Sequence, residues 1–191
     1  MATPAQGWGE GAAFPKLKRA AWLAVAAMTM FFLALTFAYL QRHGLNTGWM
    51  SARLAEILSA DTCLLLASSL ALVRGREFLK ARRMRATLCW TATAFGFGLA
   101  FLAGQAMAWR SLLSANVYVA THPNSAFFYL VTAAHAAHLL LALGLLAWVL
   151  SRAWRGRLQP DRPLLMEVTG IVWHCLDITW VYLYLVLLFY R

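Results

Sequence analysis

Five stretches of this chain are apolar enough, and long enough, to cross the roughly 30 Å hydrocarbon core of a bilayer, which takes about 20 helical residues. They run from Ala20 to Leu40, Leu54 to Val73, Ala86 to Trp109, Ser125 to Ser151 and Met166 to Tyr190. A segment in lipid has to satisfy its backbone hydrogen bonds internally, and none of these runs alternates as barrel strands do. All five are therefore expected to be helices. With 62% hydrophobic residues over 191 positions and a mean hydropathy of +0.62, no water-soluble class fits. The expected fold is all-α: one membrane domain of five transmembrane helices over residues 1–191, of which 1–19 are a short polar tail. That tail lacks the apolar core and small-residue cleavage site of a secretory signal, so the first run is read as a retained span.

The net charge of +10 would suit nucleic acid, but the basic residues gather between the apolar runs with no aromatic platform for bases, so no nucleic-acid partner is expected. Their distribution reads better as topology. Thirteen of the seventeen Lys and Arg lie in the tail, in RGREFLKARRMR (Arg74 to Arg85) and in RAWRGRLQPDRP (Arg152 to Pro163); Arg42, Arg53, Arg110 and Arg191 lie on the other side. The positive-inside rule then puts the N-terminus in the cytoplasm and the C-terminus outside. Trp49, Trp109 and Trp154 at span ends suit interfacial belts. Cys63, Cys89 and Cys175 fall in apolar runs without close spacing and are read as small hydrophobes.

Polar groups inside spans are costly unless they face protein or water, so each is a candidate site. The last two spans hold most of them. Span four carries Thr132, His135 and His138 within TAAHAAHLLLALG; span five carries Glu167, His174 and Asp177. His135 and His138 share a helix face, as do His174 and Asp177. Counting about 1.5 Å per residue from the outer ends puts His138 and Asp177 at a common depth of roughly 20 Å, so a polar cluster between spans four and five is expected. A haem between a span-four histidine and His174, a metal on His135, His138, His174 and Asp177, and a proton path are the competing readings. Histidines three apart cannot serve two stacked haems, an HxxH pair alone is weak evidence for a metal, and spans one to three add only Glu56 and Asp61 to a path. A hydrogen-bonded cluster that orients two helices fits the residues best. In span two, Asp61, Thr62, Ser68 and Ser69 read as contact residues, and in span three Gln105 reads as an amide bonded to a neighbouring helix.

Four stretches in order then resemble subunit III of the haem-copper terminal oxidases, the cytochrome c and quinol oxidase family. DTCLLLASSL (Asp61 to Leu70) is similar to the family's NT-x-LLL-x-SS segment, and GLAFLAGQAMAW (Gly98 to Trp109) to its G-x-x-F-x-x-x-Q-x-x-E-[YW] segment. SAFFYLVTAAHAAHLLLALG (Ser125 to Gly144) resembles S-x-FF-x-x-T-G-x-HG-x-H-x-x-x-G, and EVTGIVWHCLDITWVYLY (Glu167 to Tyr184) resembles E-x-x-x-x-x-WH-x-x-D-x-x-W-x-x-L-[YF]. Asp61 stands where Asn is usual, Ala108 where a carboxylate follows the glutamine, Ala134 and Ala137 where glycines flank the histidines, and AMTMFF where span one often holds a buried Glu. The chain resembles the five-helix form of the family.

The resemblance implies a subunit of a proton-pumping oxidase in the bacterial cytoplasmic membrane. It would carry no catalytic residue, haem, copper or other metal of its own, would pack against catalytic subunit I and other oxidase subunits, and would bind phospholipid. Two alternatives stay open: an accessory subunit of a nitric oxide reductase, and a small redox protein binding haem or quinone through His135, His138 and His174.

Overall fold

The computed structural model describes residues 10–42, 51–118, 123–158 and 163–189. They form five α-helices: α1 (Glu10–Arg42), α2 (Ala52–Lys80), α3 (Met84–Ser114), α4 (Pro123–Trp154) and α5 (Leu164–Phe189), with no strand among the described residues. Each contains one segment long and apolar enough to cross a membrane. The helices outrun the apolar stretches, because lipid thickness limits the apolar run while the helix continues into the polar interface until something caps it. Thus α2 passes Val73 to reach Lys80, α3 passes Trp109 to reach Ser114, and the polar tail is already helical from Glu10.

The caps are visible. The Ser51 hydroxyl accepts from the Leu54 N–H at 3.2 Å and starts α2. At the other ends Arg82, Asn116 and Gly156 adopt left-handed backbone, with φ of 57°, 56° and 63°. After each turn, a backbone N–H reaches back across the end of its helix: Arg83 to the Phe78 carbonyl, Val117 to Leu112 and Arg157 to Arg152, at 2.8 to 3.0 Å. These bonds satisfy carbonyls that would otherwise be left unpaired near the apolar layer.

Helix α5 is the hub. It packs against α1, α2 and α4, while α3 packs against α2 and α4, and α1 touches only α4 and α5 among the described residues. Its inner stripe is Trp173, Leu176, Trp180, Leu183 and Leu187, all buried and spaced alternately three and four apart. Helix α4 answers with Phe128, Val131, His135, Leu139, Ala142, Leu146 and Val149. Gly98 on α3 lets Trp173 in: a Cβ there would stand 2.8 Å from the indole and 2.9 Å from Leu143. The outward faces are apolar, with Leu23, Met30, Leu70, Leu141 and Ile178 each about 70% exposed, as suits a surface whose solvent is lipid. Cys63 and Cys89 are exposed there and Cys175 is half-buried; all three are free thiols.

Of the tryptophans expected at the interfaces, Trp154 is 82% exposed at the end of α4. Trp109 instead turns its indole inward, and Trp49 lies outside the described residues. The α2–α3 turn and the start of α5 share the basic end of the bundle. If that end faces the cytoplasm, a cysteine introduced at Ala115 reacts with an impermeant maleimide in intact cells, after the native cysteines are replaced by serine. One introduced at Ala81 then reacts only in opened cells, and the reverse pattern would invert the topology.

Candidate functional site

The seam between α2 and α5 carries a ladder of side-chain bonds. Ser59 and Tyr184 share a hydrogen bond of 2.8 Å between their hydroxyls. The Trp180 indole N–H donates to Thr62 Oγ1 at 3.1 Å, and that hydroxyl donates in turn to the Leu58 carbonyl at 2.8 Å. Ser69 Oγ and His174 Nδ1 lie 2.5 Å apart, and Arg76 Nη2 donates to Glu167 Oε1 at 3.0 Å. On α2 the rungs at Thr62, Ser69 and Arg76 recur every seven residues, so one stripe faces an antiparallel partner throughout. From Ser59 to Arg76 the ladder is about 25 Å long at 1.5 Å per residue, most of a bilayer's apolar core.

Other bonds tie α3 into the bundle. Gln105 Nε2 donates to Asp61 Oδ2 at 2.8 Å with both residues buried. The Asp61 carboxyl fills the space left by the missing side chain of Gly104, where a Cβ would overlap it. Two turns along α2, the Ser68 hydroxyl donates to the Ala94 carbonyl at 3.0 Å. Toward α4, Trp109 Nε1 donates to Thr132 Oγ1 at 3.0 Å, and Thr132 donates to the Phe128 carbonyl at 2.6 Å.

The single polar cluster expected between spans four and five is absent. His135, His138, His174, Asp177, Glu167 and Thr132 are dealt out to different contacts. His135 is fully buried among the rings of Phe32, Phe101 and Trp180, with centroids 4.9 to 6.2 Å away, and neither ring nitrogen has a hydrogen-bond partner. His138 donates from Nδ1 to the carbonyl of Ala134 one turn back, at 2.7 Å, and lies against Phe31 and Phe32 of α1. His174 and Asp177 face α2, with Nδ1 of the one 4.0 Å from Oδ2 of the other. Glu167 is about 15 Å further along α5 and bonds Arg76 and Lys18 at the basic end, while Thr132 serves α3. The difference lies in direction around the helix: α5 turns Trp173 and Trp180 into the bundle core, and the stripe holding His174 and Asp177 looks toward α2. Among the described residues no group of three His, Cys, Asp or Glu converges as metal ligands would.

Ser59, Trp180 and Tyr184 were given no contact role from the sequence, while Ser69 was read as a contact residue and bonds His174. The available signal was the heptad recurrence of hydroxyl and basic residues on α2, facing a span with aromatic N–H and O–H groups.

The sequence matches the family described as Cytochrome c oxidase subunit III over residues 11–191. The chain belongs to that family. It is 30% identical over 102 residues to a probable cytochrome c oxidase subunit 3 of Mycobacterium tuberculosis, covering 53% of this chain and 50% of that one; the match thus spans about half the length of this curated relative. It is 25% identical over 169 residues to cytochrome c oxidase subunit 3 of Alkalihalophilus pseudofirmus, covering 86% and 82% of the two chains. The subunit 3 of Thermostichus vulcanus is likewise 25% identical, over 166 residues. In this subunit III chain, the four sequence stretches resembling the family supply many of the polar contacts: Asp61, Ser68, Ser69, Gln105, Trp109, Thr132, His174, Trp180 and Tyr184.

Two measurements test the contacts. Gly104→Ala should drive the Asp61 carboxyl from Gln105 and destabilise the detergent-solubilised protein by about 1 to 3 kcal/mol, the cost of an unpaired buried polar group. The same change in an Asp61→Ala background should cost little; an equal penalty in both would show that Asp61 does not occupy that space. Tyr184→Phe, which removes one rung, should cost about 0.6 to 2 kcal/mol in unfolding experiments, the range for hydrogen bonds between helices in membranes.

Proposed function

We propose that this chain is a non-catalytic subunit III of a proton-pumping haem-copper terminal oxidase of the cytochrome c oxidase type. In this reading it sits in the bacterial cytoplasmic membrane, steadies catalytic subunit I within aerobic electron transport, and leaves haem and copper to its partners. The observation that carries the proposal is the family match over residues 11–191. The dispersal of His135, His138 and His174 among separate helix contacts supports a role without a cofactor site of its own. An apolar groove of about 260 Å³ between α1 and α5, lined by Phe32, Leu33, Ile178 and Tyr182, offers room for a lipid chain and supports the proposed binding of phospholipid.

Affinity purification of the tagged chain from its native membrane tests the proposal. It should bring down a large polytopic subunit bearing haem and copper, and the complex should reduce dioxygen. A complex that reduces nitric oxide instead would assign the chain to the reductase branch. A haem absorption band in the separated subunit would place it among small redox proteins.

A further inference from the structure

One buried carboxyl is used by none of the helix contacts described above. Asp177 lies near the middle of α5 at 3% exposure, and its oxygens make no hydrogen bond of full geometry, with the Ser69 hydroxyl within reach. An unpaired charge in a span is costly, so such a group marks a place where a proton or counter-charge is handled. Its polar surroundings are few. On its own helix they are His174, with Nδ1 at 4.0 Å, and the neighbouring Cys175 thiol; on α2 the Ser69 hydroxyl lies beside it. Arg76 of α2 is the next charge and acts on His174. Among the described residues α1 and α4 bring no ion-pairing partner to it.

His174, unlike Asp177, reaches the outside. Its side chain is 39% exposed and lines a cleft of about 260 Å³ between α2 and α5, whose walls include Arg76, Lys80, Glu167 and Gly170 at the basic end. A cleft of that size with charged groups on its walls has room for several waters. From it a set of protonatable groups runs inward: the imidazole, the Ser69 hydroxyl bonded to it at 2.5 Å, and the Asp177 carboxyl beside that hydroxyl. Imidazole and hydroxyl can each take a proton on one side and give one up on the other. The next rung cannot, because the Trp180 indole is a donor only and the Thr62 hydroxyl is turned to the Leu58 carbonyl, so the route ends at Asp177.

We propose that Asp177 is a one-sided proton-exchange site, loaded and emptied from the basic end of the bundle through His174 and Ser69. A proton from cleft water binds the imidazole, Nδ1 releases its own proton through the Ser69 hydroxyl, and an Asp177 oxygen receives it. Emptying reverses these transfers, and no charge crosses the membrane. The chemistry belongs to this chain and holds whichever complex the chain joins.

Infrared difference spectroscopy of the full chain in lipid nanodiscs, taken on transfer from H2O to D2O, tests this. Wild type should show a protonated-carboxyl C=O band that shifts in D2O and is missing from Asp177→Asn. The shift should slow by roughly a hundredfold in His174→Leu, the lower end of what a positioned proton-transfer group contributes. It should slow in Ser69→Ala and should not slow in Thr62→Val. A loosened helix pair would speed the exchange, so slowing separates the relay from structural damage. No such band in wild type, a band that persists in Asp177→Asn, exchange in His174→Leu as fast as or faster than in wild type, or slowing in Thr62→Val would each overturn the proposal.

Discussion

In hydrocarbon a polar side chain has no water to fall back on, and that constraint explains more of this structure than apolar packing does. Leucine gains little by leaving lipid for protein, whereas a hydroxyl, amide or indole N–H gains a partner it cannot find among acyl chains. The seam between α2 and α5 follows from this. Each rung is modest by itself, yet all must be met together, so the two helices have one register and one rotation in which Ser59, Thr62, Ser69 and Arg76 all find partners. A shift of one residue would swing the α2 stripe about 100° away from α5. Apolar contacts supply bulk; the polar ones supply alignment.

The same reasoning explains what was legible in the sequence. The number of spans and their helical nature follow from length and hydropathy, quantities a bilayer reads almost directly. The helix ends were less legible, because α2 stops where Arg82 turns left-handed and not where its apolar run ends. Gln105 was recognisable as an interhelical amide from its isolation in an apolar span, although its partner, Asp61, was fixed only by the gap beside Gly104. The four-residue cluster went wrong for a definite reason. Axial depth can be counted from a sequence, but the direction a residue faces depends on which helices surround it, and α5 has three neighbours to choose among.

His135 shows how a motif can mislead. Two histidines three residues apart in a membrane span suggest a ligand site, yet His135 is surrounded by the rings of Phe32, Phe101 and Trp180 and bonds nothing. In this position it behaves as a flat aromatic filler that reaches α1, α3 and α5 at once. His138, one turn on, satisfies its donor within its own helix. Neither residue type nor spacing distinguishes these uses from coordination; only the neighbours do.

Helix α1 touches only α4 and α5 among the described residues, and its charged tie to the rest is Lys18 on Glu167. It precedes both of those partners in the chain. During synthesis it therefore has no described partner while α2 and α3 pair beside it, and its seat is complete only once α4 and α5 have both arrived. The Glu167 carboxylate, held by Arg76 on one side and by Lys18 on the other, then acts as the latch of assembly. Among the described helices, the earliest in the chain rests on the two that come latest.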